Sequence, residues 1–146
     1  MEIQIYDSYS PMAMLEKKKI IDFLHQHLDE FGDTKEAIKK AIDYSIGESS
    51  PIGGFVVVGT IDNKMAGAVV VNRTGMEDYI PENILVYIAV DSSLRGKGIG
   101  KQLMKKAIDL SKGNIALHVE ANNPALFLYE KFGFTSKYLE YRLIRK

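Results

Sequence analysis

No cysteine occurs anywhere in the 146 residues. Disulfides, thiolate nucleophiles and cysteine-based metal sites are therefore excluded. A surplus of either charge is missing as well, since 19 Lys and Arg balance 19 Asp and Glu. A chain without a basic excess lacks the electrostatic footprint of a nucleic-acid binder, so no nucleic-acid partner is expected. No apolar run approaches the roughly 20 residues that a membrane-spanning helix needs, so no membrane partner is expected either. The opening "MEIQIYDSYS" starts with an acid and alternates, which reads as a strand and not as a signal peptide. The expected location is cytoplasmic. Internal repeats, linkers and low-complexity tracts are also missing, so residues 1–146 are expected to form one domain. No metal site is expected: His25 and His27 stand two apart in a helical segment and face different ways.

What is present follows a clear order. Ile3 and Ile5 alternate with polar neighbours and predict a strand over residues 2–6. Leu15, Ile21, Leu24, Leu28 and Phe31 recur at helical spacing before Gly32. A second helix is predicted through "DTKEAIKKAIDYSIG", with Asp33 and Glu36 as a capping box and Ile38, Ala41, Ile42 and Ser45 as its apolar face. "GFVVVGT" and "KMAGAVVVN" flank "IDN" as an antiparallel hairpin. "ILVYIAV", residues 84–90, is apolar on both faces, as a central strand would be. A third helix carries Ile99, Leu103, Ala107 and Leu110 on one face and lysines on the other. "IALHVE" is predicted as a strand, "NNPALFLYEKFG" as a short helix with Asn123 as its cap, and "FTSKYLEYRLIR" as one or two closing strands. This β-α-α-β-β-β-α-β-α-β order describes a single mixed α/β domain.

The stretch "VDSSLRGKGIG" places three glycines in five residues between an apolar strand and a helix. A helix start presents unpaired N–H groups and about half a positive charge. Gly96, Gly98 and Gly100 let those groups approach a ligand without an intervening Cβ, and Arg95 and Lys97 add charge. The combination is a cradle for an anion, in particular a phosphate or pyrophosphate. It is not a P-loop, because Gly100 is followed by Lys101 and Gln102. A dinucleotide fingerprint fits poorly: the spacing is G-x-G-x-G, and only Glu120 stands where a ribose-binding acid would.

"RGKGIG" after an apolar strand, with "NNPALFLYEKFGF" some twenty residues later, resembles the GNAT superfamily of acetyl-CoA-dependent N-acetyltransferases. Asn122, Ala125, Leu128, Tyr129, Gly133 and Phe134 are in register with the family's second motif, and the two motifs span residues 84–134. The resemblance implies an acyl-CoA N-acyltransferase fold, with a mixed, mostly antiparallel sheet flanked by helices. It implies acetyl-CoA as cosubstrate and an amine acceptor as partner. Main-chain N–H groups of the cradle would hold the pyrophosphate: Arg95, Gly98 and Gly100 by motif, with Gly96, Lys97, Ile99 and Lys101 in the same cradle. Ile88, Ala89 and Val90 would pair through their main chain with the pantetheine arm, on a strand that is bulged and splays from the next. Asn122 would lie near that arm, or else cap the following helix. Tyr129 would protonate the departing thiolate, or else serve only as a core tyrosine.

The general base is less defined. Residues 84–90 contain no carboxylate, unlike the family's usual pattern, and Glu82 lies just before them. His118 matches a strand position that carries Glu in a protein N-terminal acetylating branch, and its ordinary pKa suits base work. Its other reading is a hydrogen-bonded strand histidine. Tyr87 is a further contributor. Asp29, Glu30, Asp33 and Glu36 lie where the family walls its acceptor site, and they also suit helix capping. Direct transfer is expected, because neither a cysteine nor a G-x-S-x-G motif is present. The missing strand carboxylate keeps a second reading open, a non-catalytic acyl-CoA-binding or sensor module of the same fold. Edge strands at the C-terminus would offer a second copy a pairing surface, giving a homodimer.

Overall fold

The predicted hairpin is also the centre of the sheet. β2 (Gly54–Ile61) and β3 (Lys64–Arg73) are joined through Asp62 and Asn63, whose φ angles are 51° and 63°. Two left-handed residues make the kind of turn whose twist matches the strands it joins. Val56, Val57, Val58, Val69, Val70 and Val71 are all fully buried, so both faces of this hairpin must be covered. The computed structural model describes residues 1–145 and shows how. β1 (Glu2–Tyr6) pairs antiparallel with β2, and β4 (Asn83–Val90) pairs antiparallel with β3. β5 (Ile115–Ala116) adds to β4 in parallel, giving the order β1-β2-β3-β4-β5.

One face carries α1 (Met14–Leu28) and α2 (Lys35–Ser45), and the other carries α3 (Ile99–Leu110) and α4 (Leu126–Lys131). The α2 face is the predicted one, with Ile38, Ala41, Ile42 and Ser45 buried. Its cap is not: Thr34 Oγ1 accepts the Ala37 N–H at 3.2 Å, which releases Asp33 from capping. In α1 the buried stripe is Ile20, Ile21, Phe23 and Leu24, while Leu15 is exposed and Phe31 falls in a 3-10 turn. Lys17 joins that stripe because its ammonium pairs with Asp43 at 2.7 Å and Glu48 at 2.6 Å, tying α1 to α2.

Two expectations are corrected at the C-terminal side. β4 lies between β3 and β5 and is apolar on both faces because both are packed, but the strand predicted over residues 115–120 shrinks to Ile115–Ala116, so β4 meets it only at Asn83 and Ile84. After Ala116 the chain leaves the sheet, and Leu117 and Val119 turn onto the cluster around α3. Residues 134–145 form no strand. With β5 only two residues long they have no ladder to join, and Tyr138, Leu139, Tyr141, Leu143 and Ile144 remain exposed. The edge strands expected to pair across a homodimer are therefore not formed.

Candidate active site

Gly96 and Gly98 both adopt left-handed backbone, with φ near 81° and 80°. A Cβ placed on either one would meet no atom within 4 Å, so the glycines border open space and not a packed neighbour. Gly98 is the N-cap of α3 and offers no side chain to it, and the first helical bond runs from the Gln102 N–H to the Gly98 carbonyl. The N–H groups of Ile99, Gly100 and Lys101 precede that bond and point out of the helix start. Gly100 has a different job: a Cβ there would touch Leu128 at 3.4 Å and Val90 at 3.5 Å, so it lets α4 and β4 close on the cradle. Lys97 and Lys101 are exposed beside it. The Arg95 side chain turns away, its Nη2 donating to the His27 carbonyl at the end of α1 at 3.0 Å. The Ser92 N–H donates to His27 Nδ1 at 3.2 Å, so the loop before the cradle is tied to α1 at two points.

The strand leading to this loop is irregular in a specific way. Val70 pairs with Tyr87 and Val71 with Leu85, which leaves Val86 as an extra residue, a β-bulge. The bulge resets the alternation of side chains. Leu85 faces the α3 layer, Val86 and Tyr87 both face the α1–α2 layer, and Ile88 and Val90 face α3 again. Among the described residues, the outer edge of β4 has no strand partner past Ile84. Tyr87, turned to the α1–α2 side, is buried and donates its hydroxyl to Asp33 Oδ2 at 2.6 Å. Burial and then the Asp33 carboxylate push the Tyr87 phenol far above its ordinary value, so it stays a donor.

On the other face, Tyr129 of α4 is buried with Ile88, Val90, Leu94 and Ile99 in one apolar cluster, its ring 6.0 Å from that of Phe134. Burial pushes its phenol up to about 12. Asn123 Oδ1 accepts the Ala125 N–H at 2.9 Å within the turn before α4, but the N-cap of the helix is Ala125, without a side-chain bond, so Asn123 is not the expected cap; the neighbouring Asn122 is exposed.

Glu82 stands at the opposite end of β4, about 25 Å from the cradle at roughly 3.3 Å per strand residue. Its Oε1 accepts the Asn114 N–H at 2.6 Å and its Oε2 the Asp78 N–H at 3.1 Å. Those two bonds hold its carboxyl below the usual carboxylate range. His118 is exposed and lies beyond β5, off the sheet. Among the described residues no three of His, Asp and Glu gather as a metal would need, and no helix is long and apolar enough to cross a membrane.

A sequence model described as the Acetyltransferase (GNAT) family matches residues 14–134. This chain belongs to the GNAT family. The fold agrees with that of solved structures. The GNAT protein SP0256 from Streptococcus pneumoniae superposes with a TM-score of 0.71 at 18% identity, covering 99% of this chain and 98% of its own. The aminoglycoside 6'-N-acetyltransferase AAC(6')-Ig from Acinetobacter haemolyticus gives 0.70 at 14% identity, covering 100% and 99%. PH1933 from Pyrococcus horikoshii gives 0.69 at 26% identity, covering 95% and 92%. No curated protein sequence matches.

In this GNAT chain the residues singled out in the sequence divide in two. Gly96, Gly98, Ile99, Gly100 and Lys101, together with Ile88, Ala89, Val90 and Tyr129, gather where β4, α3 and α4 meet. Glu82 is held at the other end of β4 by two backbone amides, while His118 is exposed between Leu117 and Val119, which pack on the same cluster. The residues that sequence reasoning missed as a pair are Asp33 and Tyr87, 54 positions apart. Each had been singled out alone, Tyr87 as a contributor to the base and Asp33 within an acidic stretch that capping explained equally well, but nothing local joined them.

Proposed function

We propose that this GNAT protein moves the acetyl group of acetyl-CoA directly to a primary amine, in the cytoplasm, with residues 1–146 acting as one catalytic domain. The observation that carries the reading is the junction itself. A cradle without Cβ atoms at Gly96 and Gly98 opens onto the uncapped start of α3, directly after a strand whose outer edge, among the described residues, pairs with no strand past Ile84. That surface fits a pyrophosphate followed by an amide-bearing arm: N–H groups converge on the anion, and the free edge offers an added strand.

In this reading the main-chain N–H groups of residues 96–101 hold the pyrophosphate, with Lys97 and Lys101 balancing its charge. Arg95 takes part through its main chain, because its guanidinium braces the loop against α1. Ile88, Ala89 and Val90 align the thioester arm, and Asn122 flanks it. Tyr129, kept protonated by its burial, gives a proton to the sulfur as negative charge develops there. His118, exposed between Leu117 and Val119 that pack on the Tyr129 cluster, takes the proton that the amine gives up before its nitrogen attacks the thioester; Glu82, held by two backbone amides at the far end of β4, does not take that role.

The absence of a carboxylate on β4 favours one rival, a non-catalytic acyl-CoA sensor of the same fold. Two measurements separate the possibilities. Calorimetry with acetyl-CoA tests the cradle, and thiol release with a panel of primary amines tests transfer. Binding with thiol release supports the enzyme, binding without it supports the sensor, and failure to bind removes both.

A further inference from the structure

We infer that Asp33 is the carboxylate that receives the acceptor amine as its ammonium ion, and that Tyr87 is the positioning residue that aims it. The inference rests on the acetyltransfer reading above and adds a substrate class to it: amines that are cationic at neutral pH, in preference to weakly basic arylamines.

Four observations converge on this pair. First, Tyr87 immediately precedes Ile88, Ala89 and Val90, so at about 3.3 Å per residue its Cα lies within roughly 10 Å of each of them. Second, the bulge at Val86 places Tyr87 on the face opposite Tyr129. An acid and an amine-binding group are then held on opposite sides of one strand. Third, Asp33 has no competing local duty, because Thr34 has taken over the capping of α2. Fourth, the two oxygens of Asp33 are in different circumstances. Oδ2 accepts from the buried Tyr87 hydroxyl at 2.6 Å, while the residue itself is exposed. A carboxylate anchored at one oxygen and open at the other is preorganised to accept an N–H from a ligand. Within the described residues, Glu82 has each oxygen engaged by a backbone amide at the far end of β4, so it does not compete for this role.

Two isomers supply the test. Benzylamine and 4-methylaniline have the same atoms, but only the first is protonated near neutral pH. Spermidine and a peptide with a free N-terminal alanine extend the cationic set. For the wild-type protein, kcat/KM is expected to favour at least one cationic amine over 4-methylaniline. Asp33→Asn, which keeps an oxygen for Tyr87 to bond, should raise KM for that cationic amine about 10- to 150-fold, the range for losing a charge-assisted hydrogen bond. KM for acetyl-CoA and the reaction with 4-methylaniline should stay within about twofold of wild type, inside the scatter of unrelated surface changes. Asp33→Glu should recover part of the loss. Tyr87→Phe should raise the same amine KM by less, and the double variant should be no worse than Asp33→Asn alone. Equal amine KM values for wild type and Asp33→Asn, or turnover of 4-methylaniline alone, would overturn the inference and leave acetyltransfer standing. Acetyl-CoA binding without acetylation of any panel amine would also overturn it. Failure of the wild-type protein to bind acetyl-CoA would instead remove the acetyltransfer reading, and this inference with it.

Discussion

At Gly98, as at Gly96, backbone strain can be separated from ligand contact. Gly98 sits at φ 80°, in the left-handed region, and a Cβ there meets nothing within 4 Å. Gly98→Ala therefore makes no clash within the protein, and its effect on folding is backbone strain alone. That strain costs about 1–2 kcal/mol. For a domain of this size each kcal/mol moves Tm by about 2–4 °C, so the variant should melt roughly 2–8 °C lower and still fold. Binding should suffer separately, because the new methyl group stands in the space through which the α3 N–H groups reach an anion. Losing one charge-assisted hydrogen bond corresponds to about 10- to 150-fold in Kd. The control is Gly53→Ala. Gly53 is also left-handed, at φ 67°, its nearest neighbour for a Cβ is the Ser45 carbonyl at an unstrained 3.5 Å, and it lies in the loop before β2. It should show a similar Tm drop with unchanged acetyl-CoA affinity. Calorimetry on the two variants decides the matter. An unchanged Kd for Gly98→Ala, or equal losses of affinity in both variants, would refute the cradle assignment.

Three further outcomes follow from named residues. Tyr129→Phe should lower turnover while leaving acetyl-CoA affinity nearly intact; steady-state rates identical to wild type from pH 6 to 9 would remove Tyr129 from the acid role. Stability should fall between about pH 10 and 12, because an unfolded tyrosine ionises near 10 while Tyr129 holds its proton to about 12. The stability that Tyr129 loses across this window is roughly 2–3 kcal/mol at most, Tyr87 acts in the same direction, and Tyr129→Phe should blunt the fall in chemical denaturation. Glu82→Gln should lower Tm by a few degrees, since it weakens the bonds joining residues 78 and 114, and should leave the pH–rate profile in place. A shifted acidic limb in that profile would return Glu82 to consideration as the base.

Much of the fold was legible because it is written in short-range patterns. Asp62 and Asn63 mark a left-handed turn wherever they occur between β-branched runs, and the α2 face repeats at 3.6 residues. The cradle was legible for the same reason, since three glycines in five residues have few structural uses. The misreadings are where local pattern and tertiary context part. An all-apolar strand reports burial on two faces, and β4 has that, but burial on two faces is not pairing on two edges. Residues 134–145 alternate convincingly, yet alternation makes a strand only where a ladder is available. Asp33 lost its capping role to Thr34 by one residue, within the ordinary uncertainty of a helix boundary. The bond between Asp33 and Tyr87 depends on an unpaired residue at Val86, and no periodicity in the chain marks it.

That single extra residue has a second consequence, for the behaviour of the protein among its own copies. A flat apolar strand with a free edge is a template for further strands, and chains that expose one tend to aggregate. A flat edge would suit a cognate ligand and a neighbouring chain equally well. The bulge at Val86 kinks β4 partway along that edge. A long, regular strand from another molecule would lose register there, whereas a short arm laid only against Ile88, Ala89 and Val90 never crosses the kink. The irregularity thus acts as a length filter on what can dock. Removing it, by deleting Val86, would be expected to produce an association-prone protein as well as an inactive one.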